Sequence, residues 1–298
     1  MDFNLTEEQQ VFQNSVRNMA ENNLKKDNLK RAHDPKFPRD IAKLFAENSL
    51  MGITLPEKDG DGYRVSGSKV FTSNSPDADI FLVYVRYHEG VDGIGSVLMD
   101  TSMNGFSKGS PSRYTNGEEW CALYFDDVFI PKENVLLGPG GFKKQIAGFN
   151  AERIGNTARS LAVGEFAFNV AKEHAITREQ FGRKICEFQG IQWKFSDMKI
   201  QIEAGRLLLY RAAINADKGF PSSKETSIAK AFCNKAGFDI CNEAMQIMGG
   251  TGYSQESLVE YCFRKSRGWQ IAGGSTEMMK NRIAEDIFER RFSQRPNK

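Results

Sequence analysis

The residues best suited to chemistry sit at the two ends of one helical stretch and in two glycine-rich segments beyond it. Glu152 and Arg153 stand together near the start of residues 151–182, which open A-E-R-I-G-N-T-A-R-S and close T-R-E-Q-F-G. A glutamate there is ordinarily a solvated carboxylate, since Glu is rarely buried. Placed in a pocket, the same group is a proton acceptor. Arg178 and Phe181 stand at the far end, one turn apart if the helix continues. An arginine's planar fork pairs the oxygens of a phosphate two at a time. Further on come Q-I-M-G-G-T-G-Y from Gln246 and A-G-G-S-T-E from Ala272. Glycines of this kind let backbone approach a ligand closely. Ser275 and Thr276 also fit an ordinary helix start, where a hydroxyl caps the first turn.

These residues need long helices to place them. Ile146, Phe149, Ile154, Ala158, Leu161, Phe166 and Val170 recur mostly every three or four residues, which predicts one long helix with a buried apolar stripe and a stop at Gly182. A second helix is expected near 188–217, with Phe188, Ile191, Phe195, Met198, Ile202 and Leu208 inward. A third should start at a capping box of Ser222 and Glu225 and run to Met248, where G-G-T-G breaks it. Two shorter helices are expected around 255–265 and 275–291. Long helices with short connections argue for an antiparallel four-helix bundle.

Ahead of the bundle the character differs. Thr6 with Gln9 forms a capping-box pattern, followed by a short stripe of Phe12, Val16 and Met19, and a second helix is expected over 39–48. From Tyr63 the chain is strand-like. A hairpin turning at Ser66 and Gly67 is expected, then a buried strand over 80–85 and further strands near 95–99 and 122–125, closed by Pro131. The reading is an α+β fold: an N-terminal helical segment over 1–57, a small antiparallel β-domain or partial barrel over 58–139, and the helical bundle over 140–298.

Composition excludes several classes. A net charge of +2, with scattered basic residues, argues against a nucleic-acid partner. The five cysteines are far apart, show no C-x-x-C and no metal spacing with the three histidines, and read as core thiols in a reducing compartment. No metal site and no membrane span are expected. The opening M-D-F-N-L-T-E-E is acidic and has no apolar signal core, so a cytoplasmic location is expected.

Several short motifs now stand in order: F-T-S-N from Phe71, F-D-D-V-F-I-P from Phe125, A-E-R-I-G from Ala151, R-E-Q-F-G from Arg178, F-Q-G-I-Q from Phe188, and the two glycine-rich segments above. Together they resemble the acyl-CoA dehydrogenase family of flavoenzymes, over essentially the whole chain. The resemblance implies FAD as cofactor, an acyl-CoA as substrate, and removal of an α-proton by a carboxylate as a hydride leaves the β-carbon, giving a trans-2-enoyl-CoA. It implies Glu152 as the base. In many members a glutamate near the C-terminus fills that role, but here Gly273 occupies its position, and a minority carry the base in an E-R pair on the first bundle helix. Gly273 would leave room for that carboxylate and offer its N–H to the thioester carbonyl, with Arg153 a pocket residue. Phe71, Thr72 and Ser73 match the segment that packs on the flavin ring, with Phe in place of the usual Trp. Arg178, Phe181, Gln189, Gln246, Gly249 and Gly250 match contacts to the FAD of a neighbouring subunit. Ser275, Thr276 and Glu277 match contacts to its pyrophosphate and ribose. A homo-oligomer, dimer or tetramer, and an electron-transfer flavoprotein as acceptor are implied as well.

The sequence departs from the family pattern in one place. Leu55-Pro-Glu57 runs almost directly into D-G-D-G-Y, so a block of helices and a T-E-P-x-A-G-S-D-like motif are expected to be missing, leaving a truncated N-terminal segment, apolar surface uncovered and one wall of the site open. Two other readings stand beside the dehydrogenase. One is a silent oligomerising relative that holds no flavin. The other is an enoyl-CoA reductase, since A-G-G-S-T-E also resembles the crotonobetainyl-CoA reductase branch.

Overall fold

A computed structural model describes residues 5–25, 27–34, 62–90, 92–216 and 219–292. The helix expected over 39–48 and the junction at Leu55 to Asp59 lie outside the described residues. The chain divides into two compact units. One holds the described residues of 15–146, the other those of 1–14 and 147–298.

Helix α1 (Glu7–Asn23) begins as expected. Thr6 N–H donates to Gln9 Oε1 at 3.0 Å and Gln9 N–H donates to Thr6 Oγ1 at 3.2 Å, a reciprocal pair. Val16 and Met19 are half-buried, whereas Phe12 is exposed. A short helix α2 (Asn28–His33) follows.

The β-unit is built from two antiparallel sheets facing one core. Strands β1 (Tyr63–Ser73), β4 (Phe106–Lys108) and β5 (Ser112–Arg113) all pair with β6 (Glu119–Ile130). Strands β2 (Ile80–Arg86) and β7 (Val135–Leu137) flank β3 (Ile94–Asp100). Phe81 and Val83 of β2, Val97 and Met99 of β3, and Cys121, Leu123, Phe125, Val128 and Ile130 of β6 fill the space between. The alternation on β2 leaves Ile80 and Leu82 exposed, so that strand is buried on one face only.

The expected hairpin at Ser66 and Gly67 does not form. β1 continues through it as a single strand along β6, and the local irregularity is a β-bulge. Val65 pairs with Val128 and Gly67 with Phe125, so two residues of β6 face Ser66. Asp127 takes φ +52 there, and its N–H donates to Ser66 Oγ at 3.1 Å. A small flexible residue in a strand marks a bulge as readily as a turn.

The helical unit contains α3 (Phe142–Thr177), α4 (Gln189–Ile214), α5 (Ser223–Met248), a single turn α6 (Gly250–Tyr253), α7 (Leu258–Trp269) and α8 (Thr276–Ile287). Side-chain pairs fix the directions. Contacts between α3 and α4 run from Phe168–Phe195 to Glu165–Arg206, so these helices are antiparallel. Asn215–Glu225 and Lys194–Glu243 set α5 antiparallel to α4. Phe238–Phe263 and the Lys230–Trp269 bond set α7 antiparallel to α5. The result is the expected four-helix bundle, its central member α5 buried along Thr226, Lys230, Cys233, Gly237, Cys241 and Ala244. Ser222 caps α5, accepting from Glu225 N–H at 3.4 Å. Glu225 reaches across to Asn215 Nδ2 at 2.8 Å, so only half of the box is made.

The stripe expected on α3 is displaced. Of the seven residues named, only Leu161 is fully buried, and Phe166 is exposed. The buried face is instead Asn156, Thr157, Ser160, Leu161, Gly164, Ala167, Ala171 and Ala175. Close approach explains it. A Cβ on Gly237 would lie 2.4 Å from Ser160 O, and one on Gly164 would lie 3.1 Å from the Gly237 Cα. Backbones packed so tightly admit only small side chains. Gly182 does not stop α3, which ends at Thr177. Phe181 and Gly182, at φ +53 and +77, form the turn of a small hairpin between β8 (Glu179–Gln180) and β9 (Arg183–Lys184). Arg178 and Phe181 are therefore not one helical turn apart.

Candidate active site

Glu152 lies at the end of the third turn of α3, where the helix faces the segment between α7 and α8. That segment, 270–275, leaves α7 and turns through Gly273 and Gly274, both in the left-handed region at φ +66 and +96. A Cβ placed on Gly273 would lie 2.9 Å from Glu152 Oε2 and 3.6 Å from Lys230 Cε. The carboxylate thus occupies the space that a side chain at 273 would need. Its side chain keeps 43% of its exposure, and Arg159 Nη2 stands 3.8 Å from its other oxygen. At that distance and exposure the pair is worth little.

Arg153 turns the other way. Its Nε donates to Gly273 O at 3.0 Å and its Nη1 to Asn150 Oδ1 at 3.1 Å, with the guanidinium 5.7 Å from the Phe149 ring centroid. Burial and the nearby Arg282 lower its pKa from the ordinary arginine range, against the pull of Glu152. Arg153 is a clamp on the backbone of Gly273. Among the described residues no group accepts the Gly273 amide N–H, which is left available beside the carboxylate.

The carbonyls just before Gly273 are held from α5. Lys230, only 1% exposed, donates to Trp269 O at 3.0 Å and Ala272 O at 2.9 Å. Asn234 Nδ2 donates to the same Trp269 O at 2.7 Å and to Asn156 Oδ1 at 2.9 Å. Desolvation lowers the Lys230 pKa to about 8; Glu152 opposes this and Arg153 adds to it. None of Lys230, Asn234 and Asn156 was singled out in the sequence. The available signal was a lysine and an asparagine falling on the three-and-four spacing of the buried stripe of α5.

The other predicted residues form separate groups. Ser275 caps α8, accepting from Met278 N–H at 3.4 Å, and Thr276 Oγ1 donates to Gln270 O at 3.4 Å. Glu277 is exposed, its carboxyl held below the usual range by its own amide N–H and the Ser275 hydroxyl. Arg178 and Phe181 follow the C-terminus of α3, Gln189 opens α4, and Gln246, Gly249 and Gly250 end α5. The helix directions bring these to one end of the bundle. Phe181 is 93% exposed there, and Arg178 is exposed with no acidic partner among the described residues. The 26 residue steps from Glu152 to Arg178 lie almost wholly within one helix, roughly 39 Å of rise at about 1.5 Å each. One bundle therefore carries two distinct clusters at opposite ends.

In the β-unit, Phe71 sits in a second bulge. Lys69 pairs with Leu123 and Thr72 with Cys121, leaving Val70 and Phe71 opposite one residue, and Phe71 adopts φ +58. The bulge turns its ring outward, 67% exposed, and sets it 4.6 Å from Trp120, tilted by 46°. Tyr114 lies 6.0 Å from Trp120 in a stacked arrangement, and burial raises its pKa, with Ser73 opposing. An exposed aromatic platform edged by the Thr72 and Ser73 hydroxyls suits a planar heteroaromatic ring.

Comparison with known proteins now decides the family. The acyl-CoA dehydrogenase C-terminal domain matches residues 139–288, the middle domain residues 47–128 and the N-terminal domain residues 6–70. The chain belongs to the acyl-CoA dehydrogenase family. It is 36% identical over 231 residues to the short-chain specific acyl-CoA dehydrogenase of Megasphaera elsdenii, covering 76% of this chain and 60% of that one. It is 32% identical over 250 residues to the 3-sulfinopropanoyl-CoA desulfinase of Paraburkholderia xenovorans, covering 81% and 64%. The chain therefore spans less than two thirds of the length of these relatives. A crystal structure of a candidate acyl-CoA dehydrogenase from Mycobacterium smegmatis, 20% identical, has the same fold with a TM-score of 0.86, covering 95% of this chain and 98% of that one. Among the described residues, no helix is long and apolar enough to cross a membrane.

Proposed function

We propose that the protein is an FAD-dependent acyl-CoA dehydrogenase in which Glu152 removes the α-proton of the thioester. The observation carrying this reading is the carboxylate seated against Gly273, 2.9 Å from where a side chain at 273 would begin. Relatives of similar identity include a dehydrogenase and a desulfinase, so family membership leaves the reaction open and the base argues for it.

The residues fit the flavin. Within the β-unit, Phe71, Trp120 and Tyr114 offer aromatic faces to a flavin ring, with Thr72 and Ser73 at their edge; within the helical unit, Ser275, Thr276 and Glu277 offer hydroxyls and a carboxylate to polar parts of a cofactor. When bound, the flavin supplies the acceptor for the β-hydride. The work of this chain is at the thioester. The Gly273 N–H is placed to donate to its carbonyl, which stabilises negative charge as the α-proton leaves. Lys230, holding Ala272 O of the same peptide plane, fixes that N–H in direction, and Arg153 holds the next carbonyl, Gly273 O. Glu152 receives the proton, and an acyl group lying over it would remove the water that now reaches its oxygens.

The Arg178, Phe181, Gln189, Gln246, Gly249 and Gly250 cluster is too far from Glu152 to serve the same cofactor easily, which supports a homo-oligomer in which it meets a neighbour's FAD. An electron-transfer flavoprotein as acceptor, a cytoplasmic location and the three-part division at 57 and 139 belong to the same reading. The test is the visible spectrum of the purified protein with FAD, followed by a panel of acyl-CoAs under anaerobic conditions. Bleaching of the flavin band is expected, and a protein that holds no flavin with FAD in excess refutes the reading.

A further inference from the structure

Among the described residues Lys230 is the one fully buried lysine, and the proton transfer itself does not use it. Taking a lysine out of water costs several kcal/mol unless it is partnered. Here it has two carbonyl partners, and both belong to the segment that presents Gly273. The same glycine separates it from the base: a side chain at 273 would touch Glu152 Oε2 at 2.9 Å and the Lys230 stem at 3.6 Å.

We propose that Lys230 is a positioning residue for the reaction at Glu152: its ammonium ties Trp269 O and Ala272 O so that Gly273 faces the carboxylate, and its charge acts on that carboxylate across the glycine. This inference rests on the dehydrogenase reading. The geometry divides the labour. Arg153 and Lys230 grip the backbone on both sides of the Gly273 N–H, from α3 and α5, so the donor cannot swing away. Asn234, bridging Trp269 O and Asn156, ties the two gripping helices together. Among the described residues the charged groups facing this spot are Glu152, Arg153 and Arg159 of α3, Lys230 of α5 and Arg282 of α8. Glu152 is the only acid among them, so a positive charge at Lys230 has one carboxylate to act on.

A purely structural lysine would hold the same two carbonyls without any coupling to Glu152, and the two roles are separable. Coupling is reciprocal: whatever Lys230 does to Glu152, Glu152 does equally to Lys230. The experiment uses the whole chain with lysine labelled for carbon NMR at Cε. One signal titrates near pH 8, and Lys230→Arg removes it, which assigns it. Glu152 is partly exposed, so Glu152→Gln is expected to fold. In that variant the midpoint falls by about 0.5 to 1 pH unit, as a loss of one attraction across a few ångströms in a half-wet site requires. An unmoved midpoint overturns the proposal.

The second readout is the rate of flavin bleaching by acyl-CoA against pH. The wild type is expected to lose rate above pH 8, and Lys230→Arg, which cannot deprotonate, is expected to lack that limb. Lys230→Met is expected to be slowed about tenfold or more at pH 7 with flavin retained. A limb that persists unchanged in Lys230→Arg also overturns the proposal. No bleaching of the wild type by any acyl-CoA sinks the dehydrogenase reading and the role of the charge with it. A bleached flavin with an unmoved lysine sinks the Lys230 assignment alone.

Discussion

Gly273→Ala separates what holds the fold from what does the chemistry. An alanine at φ +66 is held in the left-handed region, at a cost of roughly 1–2 kcal/mol. Its methyl would start 2.9 Å from Glu152 Oε2, whereas ordinary contacts begin near 3.5 Å. The carboxylate must therefore move by roughly 0.5 Å or more, and its 43% exposure gives it somewhere to go. Little stability is lost through that contact. The chemistry suffers more, since a base displaced by a fraction of an ångström to one ångström can lose on the order of 10²-fold in rate. The assay is anaerobic stopped-flow reduction of the FAD-loaded protein by acyl-CoA, beside denaturant unfolding. The expected result is a small loss of stability, retained flavin and a rate down by about 10²-fold. Reduction at the wild-type rate would refute the placement of Glu152 as base.

Gly237→Ala puts a methyl 2.4 Å from Ser160 O and is expected to destabilise by about 2–3 kcal/mol in denaturant unfolding, whereas Gly155→Ala, with nothing within 4 Å on the same bundle, should gain about 0.5–1 kcal/mol. Ser222→Ala removes the cap of α5 and should cost about 1 kcal/mol. The Lys230 pKa is about 8 in the folded protein against an ordinary 10.5, so between those values the unfolded chain holds a proton that the folded one lacks. Stability should then rise with pH through that window relative to Lys230→Met, and a difference between the two proteins that does not change from pH 8 to 10 contradicts the burial of the ammonium.

The parts of the fold written in local chemistry were readable. Thr6 with Gln9, Ser222 before α5 and the glycines after Met248 mark helix ends by hydrogen bonds within a turn, and the structure places those ends there. Misread positions depended on tertiary partners. Gly67 carries the signal of a turn and of a bulge alike, and only the length of β6 opposite decides between them. Gly182 ends no helix because Phe181 before it also takes a positive φ and closes a hairpin. On α3 the large apolar residues drew attention, but Gly164 and Gly237 bring the backbones of α3 and α5 so close that Ser160, Gly164 and Ala167 face inward. The pairing of Glu152 with Gly273 was legible only through the family resemblance, which sets a glycine where many members carry the base and an E-R pair where a minority do. Lys230 was not, because a lysine on a helix ordinarily points to water, and only the two carbonyls from another segment reveal its place.

The most direct measurement is the flavin spectrum of wild type and Glu152→Gln before and after an acyl-CoA panel. Glu152 is partly exposed, so the variant should fold and hold FAD as the wild type does. The account predicts bleaching in the wild type and its loss, by about 10³-fold or more in rate, in Glu152→Gln. Bleaching of the variant at the wild-type rate would contradict it.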